Sequence, residues 1–258
     1  MKFVCLCILF LGNLVTGRGV EALSSPLFVS LGGYCEVAAQ LRKHNLREEA
    51  YPFDWILSSS HEKFLEILNE DFQFFLDENY IFQNSEHPFI LENRRYECEF
   101  RHDWPVKFES GLSCHLQEIA SKYERRIARF RKLRDYSGKV FFIRAAYDSK
   151  QGGIHYWWND SQERITAGQA KTLKMALDQF FPLLDFTLII INYEDEKLEK
   201  IDVIDGVIEF KIRREFKALE FTELFHRLYE RSKVSRKDSK DNAVYWIGYK
   251  FFSDIIKC

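Results

Sequence analysis

The chain has 258 residues, 46% hydrophobic and 29% charged, which is the composition of a folded globular protein and excludes extended disorder. Its formal net charge of −2 gives no support to nucleic-acid binding, because nucleic-acid-binding proteins present basic surfaces. Aromatic residues make up 16% of the chain, so we expect a core rich in phenylalanine.

The N-terminal segment, residues 1–22, has the pattern of a secretory signal peptide. Lys2 precedes a short apolar run, and small residues follow that run as far as Ala22. The run is too short to cross a bilayer comfortably, so we predict cleavage and export to the periplasm or the extracellular space. Residues 23–258 are then a single domain that does not bind membranes. An uncleaved anchor and a misassigned start codon are the alternatives.

A glycine turn joins the first predicted strand, Leu27 to Val29, to a helix. Gly32 and Gly33 permit a sharp turn there because glycine tolerates positive φ. The turn places Cys35 at the start of the helix, where unpaired N–H groups and the helix dipole favour a thiolate. Cys35 is therefore a candidate nucleophile. The alternatives are a small buried hydrophobe at Cys35 and a phosphate cradled by the glycines.

Asp54 lies among large apolar side chains in the segment Tyr51-Pro52-Phe53-Asp54-Trp55-Ile56. A carboxylate surrounded by apolar side chains needs a hydrogen-bond or ion-pair partner, because burying an unpaired charge costs free energy. Asp54 either caps the next helix or accepts backbone N–H groups, or else it orients a catalytic histidine. The next helix is predicted from Ser60 to Leu68.

Apolar and charged residues alternate from Tyr96 to Arg101, which predicts a strand. On this pattern His102 faces inwards with the apolar set, and Asp103 faces the other way. A histidine at the end of a strand, opposite a helix that begins with Cys35, is the arrangement that a cysteine–histidine dyad needs. We therefore predict that His102 is the general base.

Further residues complete the candidate site. Asp54 is the first choice for the third catalytic member, Asp103 the second and Asn192 the third. Residues 152–160 form a glycine-led aromatic segment that either lines a cleft for a peptide or a glycan or belongs to the edge of the core. His155, in that segment, is the alternative histidine.

The most regular helix is predicted from His115 to Arg134, with apolar residues at three- and four-residue steps. Its other face is basic, and we favour a solvated face over a pairing of Arg126 or Arg129 with a carboxylate near the site or with an anionic ligand.

Six cysteines are present, and none belongs to a CxxC pair. We therefore expect neither a structural zinc site nor a cofactor. In an exported protein a bridge between Cys98 and Cys114 is possible, and it would leave Cys35 as a free thiol.

Buried strands alternate with helices along the rest of the chain. The predicted elements are strands at 140–145 and 186–192, a helix at 166–180, a hairpin turning at Asp205-Gly206, a helix at 216–228, a polar loop at 231–241 and a closing helix. This order predicts a three-layer α/β domain whose central mixed, largely parallel sheet is flanked by helices and carries an edge hairpin. The glycine turn then lies at the carboxyl end of its strand, where open α/β sheets bind ligands.

Several motifs occur together in the order of one known family. They are Ser30-Leu31-Gly32 with Cys35, Gln40-Leu41-Arg42, Leu46-Arg47, Tyr51-Pro52-Phe53-Asp54-Trp55-Ile56, Arg101-His102-Asp103-Trp104-Pro105, and the helix 122–130 leading into Val140-Phe141-Phe142-Ile143-Arg144. In this respect residues 27–192 resemble a bacterial family of unassigned function described as papain-like cysteine peptidases. The resemblance implies a cysteine–histidine site, although the predicted sheet is at least as close to a Rossmann-like fold as to papain.

We therefore expect a cysteine-dependent hydrolase, either a papain-like peptidase or an acyltransferase, with Cys35 as nucleophile, His102 as base and Asp54 as orienting residue. Backbone N–H groups at the helix start would form the oxyanion hole. One alternative is a non-thiol transferase or a glycan- or nucleotide-binding protein in which Gly32 and Gly33 approach the ligand. The other is a secreted interaction module without catalysis.

Overall fold

The computed structural model describes residues 25–58, 60–85, 90–103, 112–146, 164–194, 202–204, 207–213 and 217–234. The helices in these ranges are α1 (Glu36–Lys43), α2 (His61–Asn69), α3 (Leu112–Lys132, continued by a 3-10 turn at Leu133–Asp135), α4 (Ala167–Phe180) and α5 (Lys217–Val234). The strands are β1 (Leu27–Ser30), β2 (Ile56–Ser58), β3 (Ile81–Gln83), β4 (Leu91–Asn93), β5 (Cys98–Phe100), β6 (Val140–Ala145), β7 (Phe186–Glu194), β8 (Asp202–Ile204) and β9 (Val207–Arg213).

A five-stranded sheet in the order β1-β6-β7-β9-β8 forms the centre of the fold. Its first four strands are parallel, and β8 pairs antiparallel with β9 at one edge. The predicted mixed, largely parallel sheet with an edge hairpin is therefore confirmed. The predicted turn residues of the hairpin, 205–206, lie outside the described residues.

Helices cover both faces of this sheet, because alternate residues of its continuous apolar strands point to opposite sides. Phe28, Phe141 and Ile189 pack with residues of α1 and α5 on one face. Val29, Phe142 and Leu188 pack with residues of α3 and α4 on the other face. The layers are helix, sheet and helix, as predicted.

A second, antiparallel sheet in the order β2-β5-β4-β3 lies between α1 and α3 along the chain. The sequence predicted one sheet only, because each of these strands has three residues and is too short to show a clear alternation. Phe53, in the turn before β2, packs against Phe72, Phe75 and Phe130 with ring centroids 5.4 to 6.4 Å apart. The expected phenylalanine-rich core is confirmed.

The strand predicted from Tyr96 to Arg101 is shorter than expected. Glu97 has a positive φ of 47° and belongs to a turn, and all three residues of β5 are buried. The chain leaves the sheet after Phe100, so the alternation does not continue. His102 is exposed and the Asp103 carboxylate is buried, so the predicted inward orientation of His102 is wrong.

Helix ends match the sequence more closely. The Ser60 hydroxyl accepts the Lys63 N–H at the start of α2, and Thr166 forms a capping box at the start of α4. Helix α5 includes residues 231–234, which were predicted as loop. In the described part of the chain no helix is both long and apolar enough to cross a membrane. The predicted signal peptide and closing helix lie outside it.

Candidate functional site

The glycine turn is fixed by backbone hydrogen bonds to two other strands. Gly32 and Gly33 have φ values of 74° and 97°, as predicted for the turn. The Ala145 N–H, at the end of β6, donates to the Gly32 carbonyl over 3.1 Å, and the Ser58 N–H, in β2, donates to the Gly33 carbonyl over 3.1 Å. The start of α1 is therefore held between the two sheets.

The glycines are required by the packing of the chain itself. A Cβ on Gly32 would lie 2.8 Å from the Phe53 carbonyl oxygen, and a Cβ on Gly33 would overlap the Ala145 carbonyl oxygen. The space beside both α-carbons is filled by protein backbone. The role of Gly32 and Gly33 in ligand binding stays a prediction.

Cys35 is the N-cap residue of α1 and is partly buried. Burial raises the pKa of its thiol, and the neighbouring carboxylate of Glu36 raises it further. The backbone N–H of Cys35 and the charge of Arg101 act in the opposite direction but are smaller effects. The predicted shift towards the thiolate is therefore wrong, because desolvation outweighs the helix terminus. A base must take the proton before this sulfur can attack.

Cys98 contrasts with Cys35. It is a free thiol with no exposed surface, and burial raises its pKa strongly. The bridge to Cys114 considered above is therefore not formed. Cys35 is the more accessible of these two thiols.

A tyrosine pair adjoins Cys35 at the carboxyl edge of the parallel sheet. The Tyr34 hydroxyl donates to the Tyr193 hydroxyl over 2.8 Å, and Tyr193 lies near the end of β7. The sequence analysis did not select Tyr193. Its position at the carboxyl end of a fully apolar strand is the signal that could have identified it.

Arg144 connects the two sheets beneath the glycine turn. Its side chain is 2% exposed, and its Nη1 donates to the Leu31 carbonyl and to the Ser58 hydroxyl, both over 2.8 Å. Its Nη2 donates to the Ser58 carbonyl over 2.5 Å, and the guanidinium lies 4.0 Å from the Phe64 ring centroid. An arginine inside an apolar strand is the sequence signal for such a buried contact.

Asp54 is fully buried and accepts two hydrogen bonds through Oδ2. One comes from the Tyr51 N–H over 3.1 Å and the other from Arg47 Nη1 over 2.9 Å. The predicted acceptance of a backbone N–H is therefore confirmed. Burial outweighs these bonds and raises the pKa of Asp54 to about 6. Its other oxygen, Oδ1, has no hydrogen-bond partner in the described part of the chain.

The Trp55 ring joins Asp54 to His102 indirectly. The guanidinium carbons of Arg42 and Arg47 lie 5.4 Å and 5.2 Å from the Trp55 ring centroid. The ring of His102 meets Trp55 edge-on, with centroids 5.4 Å apart. Arg47 and Trp55 therefore form a chain of contacts from Asp54 to His102.

Asp103 and Asn192 are the other candidates for the third catalytic residue, and each forms hydrogen bonds elsewhere in the protein. The Asp103 carboxylate accepts hydrogen bonds from Lys122 and Tyr123 of α3. Asn192 bonds the backbone of Ile165 and the Glu209 carboxylate. Their catalytic roles stay predictions, and His155 lies outside the described residues.

The basic face of α3 is only partly solvated. Arg126 is buried, and its charge lowers the pKa of Asp54. Arg129 donates to the Ala50 carbonyl over 2.5 Å and lies 4.0 Å from Glu49. For these two arginines the interpretation as a solvated face is wrong.

The structure thus brings the start of α1 and the end of β5 to one region, since Ser58 of β2 bonds to Gly33 before α1 and Ile56 of β2 pairs with Phe100 of β5. Among the described residues, no group of three histidine, cysteine, aspartate or glutamate side chains could hold a metal ion.

Comparison with known proteins relates the chain to sequences of unknown function. No solved structure matches it significantly. It is 32% identical over 138 residues to "Uncharacterized protein R408" of Acanthamoeba polyphaga mimivirus, an alignment that covers 47% of this chain and 62% of the viral protein. Residues 26–196 match the family model described as "Putative papain-like cysteine peptidase (DUF1796)". Since the match covers well over half of its length, the chain belongs to this family.

Proposed function

We propose that the protein is a cysteine-dependent hydrolase or acyltransferase in which Cys35 is the nucleophile and His102 the general base. The observation that carries the proposal is the partly exposed Cys35 thiol at the N-terminus of α1, which the bond from Ser58 to Gly33 and the pairing of β2 with β5 bring to the region that bears Arg101 and His102. The family description, which names a cysteine peptidase, supports the same class of chemistry.

In the proposed reaction the His102 imidazole takes the proton of the Cys35 thiol as the sulfur attacks the substrate carbonyl. The C–S bond forms, the bond to the leaving group breaks, and the leaving group receives the proton from His102. Water, or a second acceptor in an acyltransferase, then releases the acyl group from sulfur. The raised pKa of Cys35 makes this base essential near neutral pH.

The oxyanion would bind at the start of α1. No side chain caps this helix, and its first-turn N–H groups point towards the N-terminal end, next to Cys35. Asp54 is then a positioning residue, because it holds Arg47 against Trp55 and Trp55 contacts His102.

The test uses p-nitrophenyl acetate, a small activated ester. We expect acetylation of Cys35, detected by peptide mass spectrometry, and steady release of nitrophenol that Cys35→Ala abolishes. Cys98→Ala is the matched control and should keep the wild-type rate. His102→Gln should lose activity at pH 7 and regain part of it near pH 10, where the thiolate forms without a base. A Cys35→Ala variant that keeps the wild-type rate, or a wild-type protein that shows neither acetylation nor turnover, would contradict the proposal.

A further inference from the structure

We infer that the Cys35 site takes acyl substrates that carry a carboxylate, and that Arg42 binds this group at the far end of α1 from the nucleophile. The inference rests on the proposed function and names its substrate class and a specificity-determining residue. The following observations lead to it.

Two guanidinium groups lie against the ring of Trp55, and they differ in their partners. Arg47 pairs with the buried Asp54 carboxylate over 2.9 Å, so its charge is neutralised inside the protein. Arg42 is exposed, and no carboxylate of the described residues lies within ion-pair distance of it. Of these two arginines, Arg42 is therefore the one that can form an ion pair with a bound anion.

The Arg42 side chain is also held in place. Its guanidinium carbon lies 5.4 Å from the Trp55 ring centroid, within the range of a cation–π interaction. An arginine that is ordered before binding loses less side-chain entropy when a carboxylate arrives. Exposed lysines and arginines without such a contact lack this advantage.

Helix geometry places Arg42 on the same side of α1 as Cys35. The two residues are seven positions apart, which is about two turns and a rise of about 10 Å. Ala39 lies between them on that side, and its short side chain leaves room for a bound chain. An extended peptide advances about 3.3 Å per residue, so the carboxylate would belong to about the third residue from the scissile carbonyl.

The charges near the Cys35 thiol also favour a substrate carboxylate near Arg42 over one close to the reacting carbonyl. Glu36 and Arg101 act on the Cys35 thiol with opposite signs, and the effect of Glu36 is the larger. Arg42, which contacts Trp55, adds a positive charge about two helical turns away from the thiol. A carboxylate close to the reacting carbonyl gains little, and one near Arg42 gains most.

The first test uses maleimides, which react with the Cys35 sulfur and carry an acid or an amide at a set distance from it. We compare 6-maleimidohexanoic acid with its amide, and maleimidoacetic acid with its amide, and follow Cys35 labelling in the full chain by peptide mass spectrometry at low salt. We expect the long acid to react roughly two- to fivefold faster than the long amide, as one exposed ion pair would give. The short pair should show no such preference.

The matched variants are Arg42→Gln and Lys43→Gln, which remove one positive charge from adjacent exposed positions of α1. Arg42→Gln should abolish the preference for the long acid, and Lys43→Gln should keep most of it. Equal effects of the two variants would mean a general charge effect and would overturn the inference, as would equal ratios for the long and short pairs.

A binding measurement separates this inference from the proposed function. Calorimetry on Cys35→Ala compares acetyl-Asp-Ala-Ala-Ala-amide with its Asn counterpart, and we expect the Asp peptide to bind more tightly unless Arg42→Gln is also present. Equal binding of the two peptides, with Cys35 still acetylated by the ester, overturns the carboxylate site and leaves the hydrolase. Tighter binding of the Asp peptide, with ester turnover unchanged in Cys35→Ala, overturns the hydrolase and leaves a carboxylate-binding protein.

Discussion

The two sides of the candidate site are built in different ways. The side that carries Cys35 is fixed by backbone hydrogen bonds from Ala145 and Ser58 to the glycine turn. The side that carries His102 lies just past the end of a three-residue strand and depends on the contact between the His102 and Trp55 rings. Backbone bonds between packed strands tolerate little displacement, whereas an exposed ring contact is easily rearranged.

Because of this difference, we expect substitutions on the Cys35 side and on the His102 side to affect different properties. Substitutions on the Cys35 side should mainly destabilise the fold, because buried backbone contacts are lost or forced apart. Substitutions on the His102 side should mainly lower turnover, because exposed side chains contribute little to stability. Four predictions test this contrast, from the largest expected effect to the smallest.

Gly33→Ala should destabilise the protein by about 4 kcal/mol, since it combines steric overlap with a strained positive φ. The measurement is urea denaturation followed by circular dichroism. Gly168→Ala, near the start of α4 with no atom closer than 4.0 Å to the new Cβ, is the control and should be neutral or slightly stabilising. Equal stability of both variants would show that the turn is not fixed by backbone contacts.

Asp54→Asn should gain stability relative to the wild type as the pH rises from 4 to 7. Burial raises the pKa of Asp54 from 3.8 to about 6, so the folded state binds a proton that the unfolded state has released, and wild-type stability falls as the pH rises through this interval. The advantage of the variant should grow by roughly 3 kcal/mol between pH 4 and pH 7. Denaturation of both proteins across this range is the measurement, and a constant difference would contradict the prediction.

The same substitution should lower activity, because it removes the ion pair that holds Arg47 on Trp55. A gain in stability with a loss of turnover is the outcome that distinguishes a positioning residue from a structural one.

Trp55→Leu should lower ester turnover about tenfold, because it removes the ring that positions His102. The partly buried ring should contribute only about 1 kcal/mol to stability. Trp55→Phe, which keeps an aromatic contact, should recover part of the rate. Labelling of Cys35 by iodoacetamide at neutral pH should fall in parallel, because His102 also takes the thiol proton in that reaction, whereas labelling near pH 10 should be unchanged. A loss of labelling at pH 10 would mean that Trp55 shapes the Cys35 side as well.

The smallest effects concern the Cys35 thiol itself. Its raised pKa predicts that iodoacetamide labelling of Cys35 keeps increasing with pH beyond the ordinary thiol range. Glu36→Gln should increase the labelling rate at pH 7.5 and Arg101→Gln should decrease it, each by roughly twofold, since their charges act on the thiol with opposite signs. Changes in the same direction would rule out this electrostatic account.

The sequence predicted the parts of the fold with long, uniform patterns. The apolar run of β6 was located to the residue, and periodicity placed Ser60 and Thr166 at the starts of their helices. The second sheet was missed because three-residue strands carry no reliable period. A turn at Glu97 interrupted the alternation that had been extended to His102.

For the site, local sequence identified the turn but not its electrostatics. The glycine spacing correctly gave positive φ values before Cys35. The pKa of that thiol depends on burial by distant segments, and so does the pKa of Asp54. The arginines around Trp55 and the contact of Arg144 with Ser58 arise only from the tertiary fold.

The bonds from Arg144 to Leu31 and Ser58 also limit how a substrate can enter. One guanidinium joins the strand that leads to the nucleophile with the strand that follows Trp55, so separating the two sheets would break three hydrogen bonds of a buried charge. Entry is therefore expected through rearrangement of the exposed His102 side chain, while the two sheets keep their relative positions.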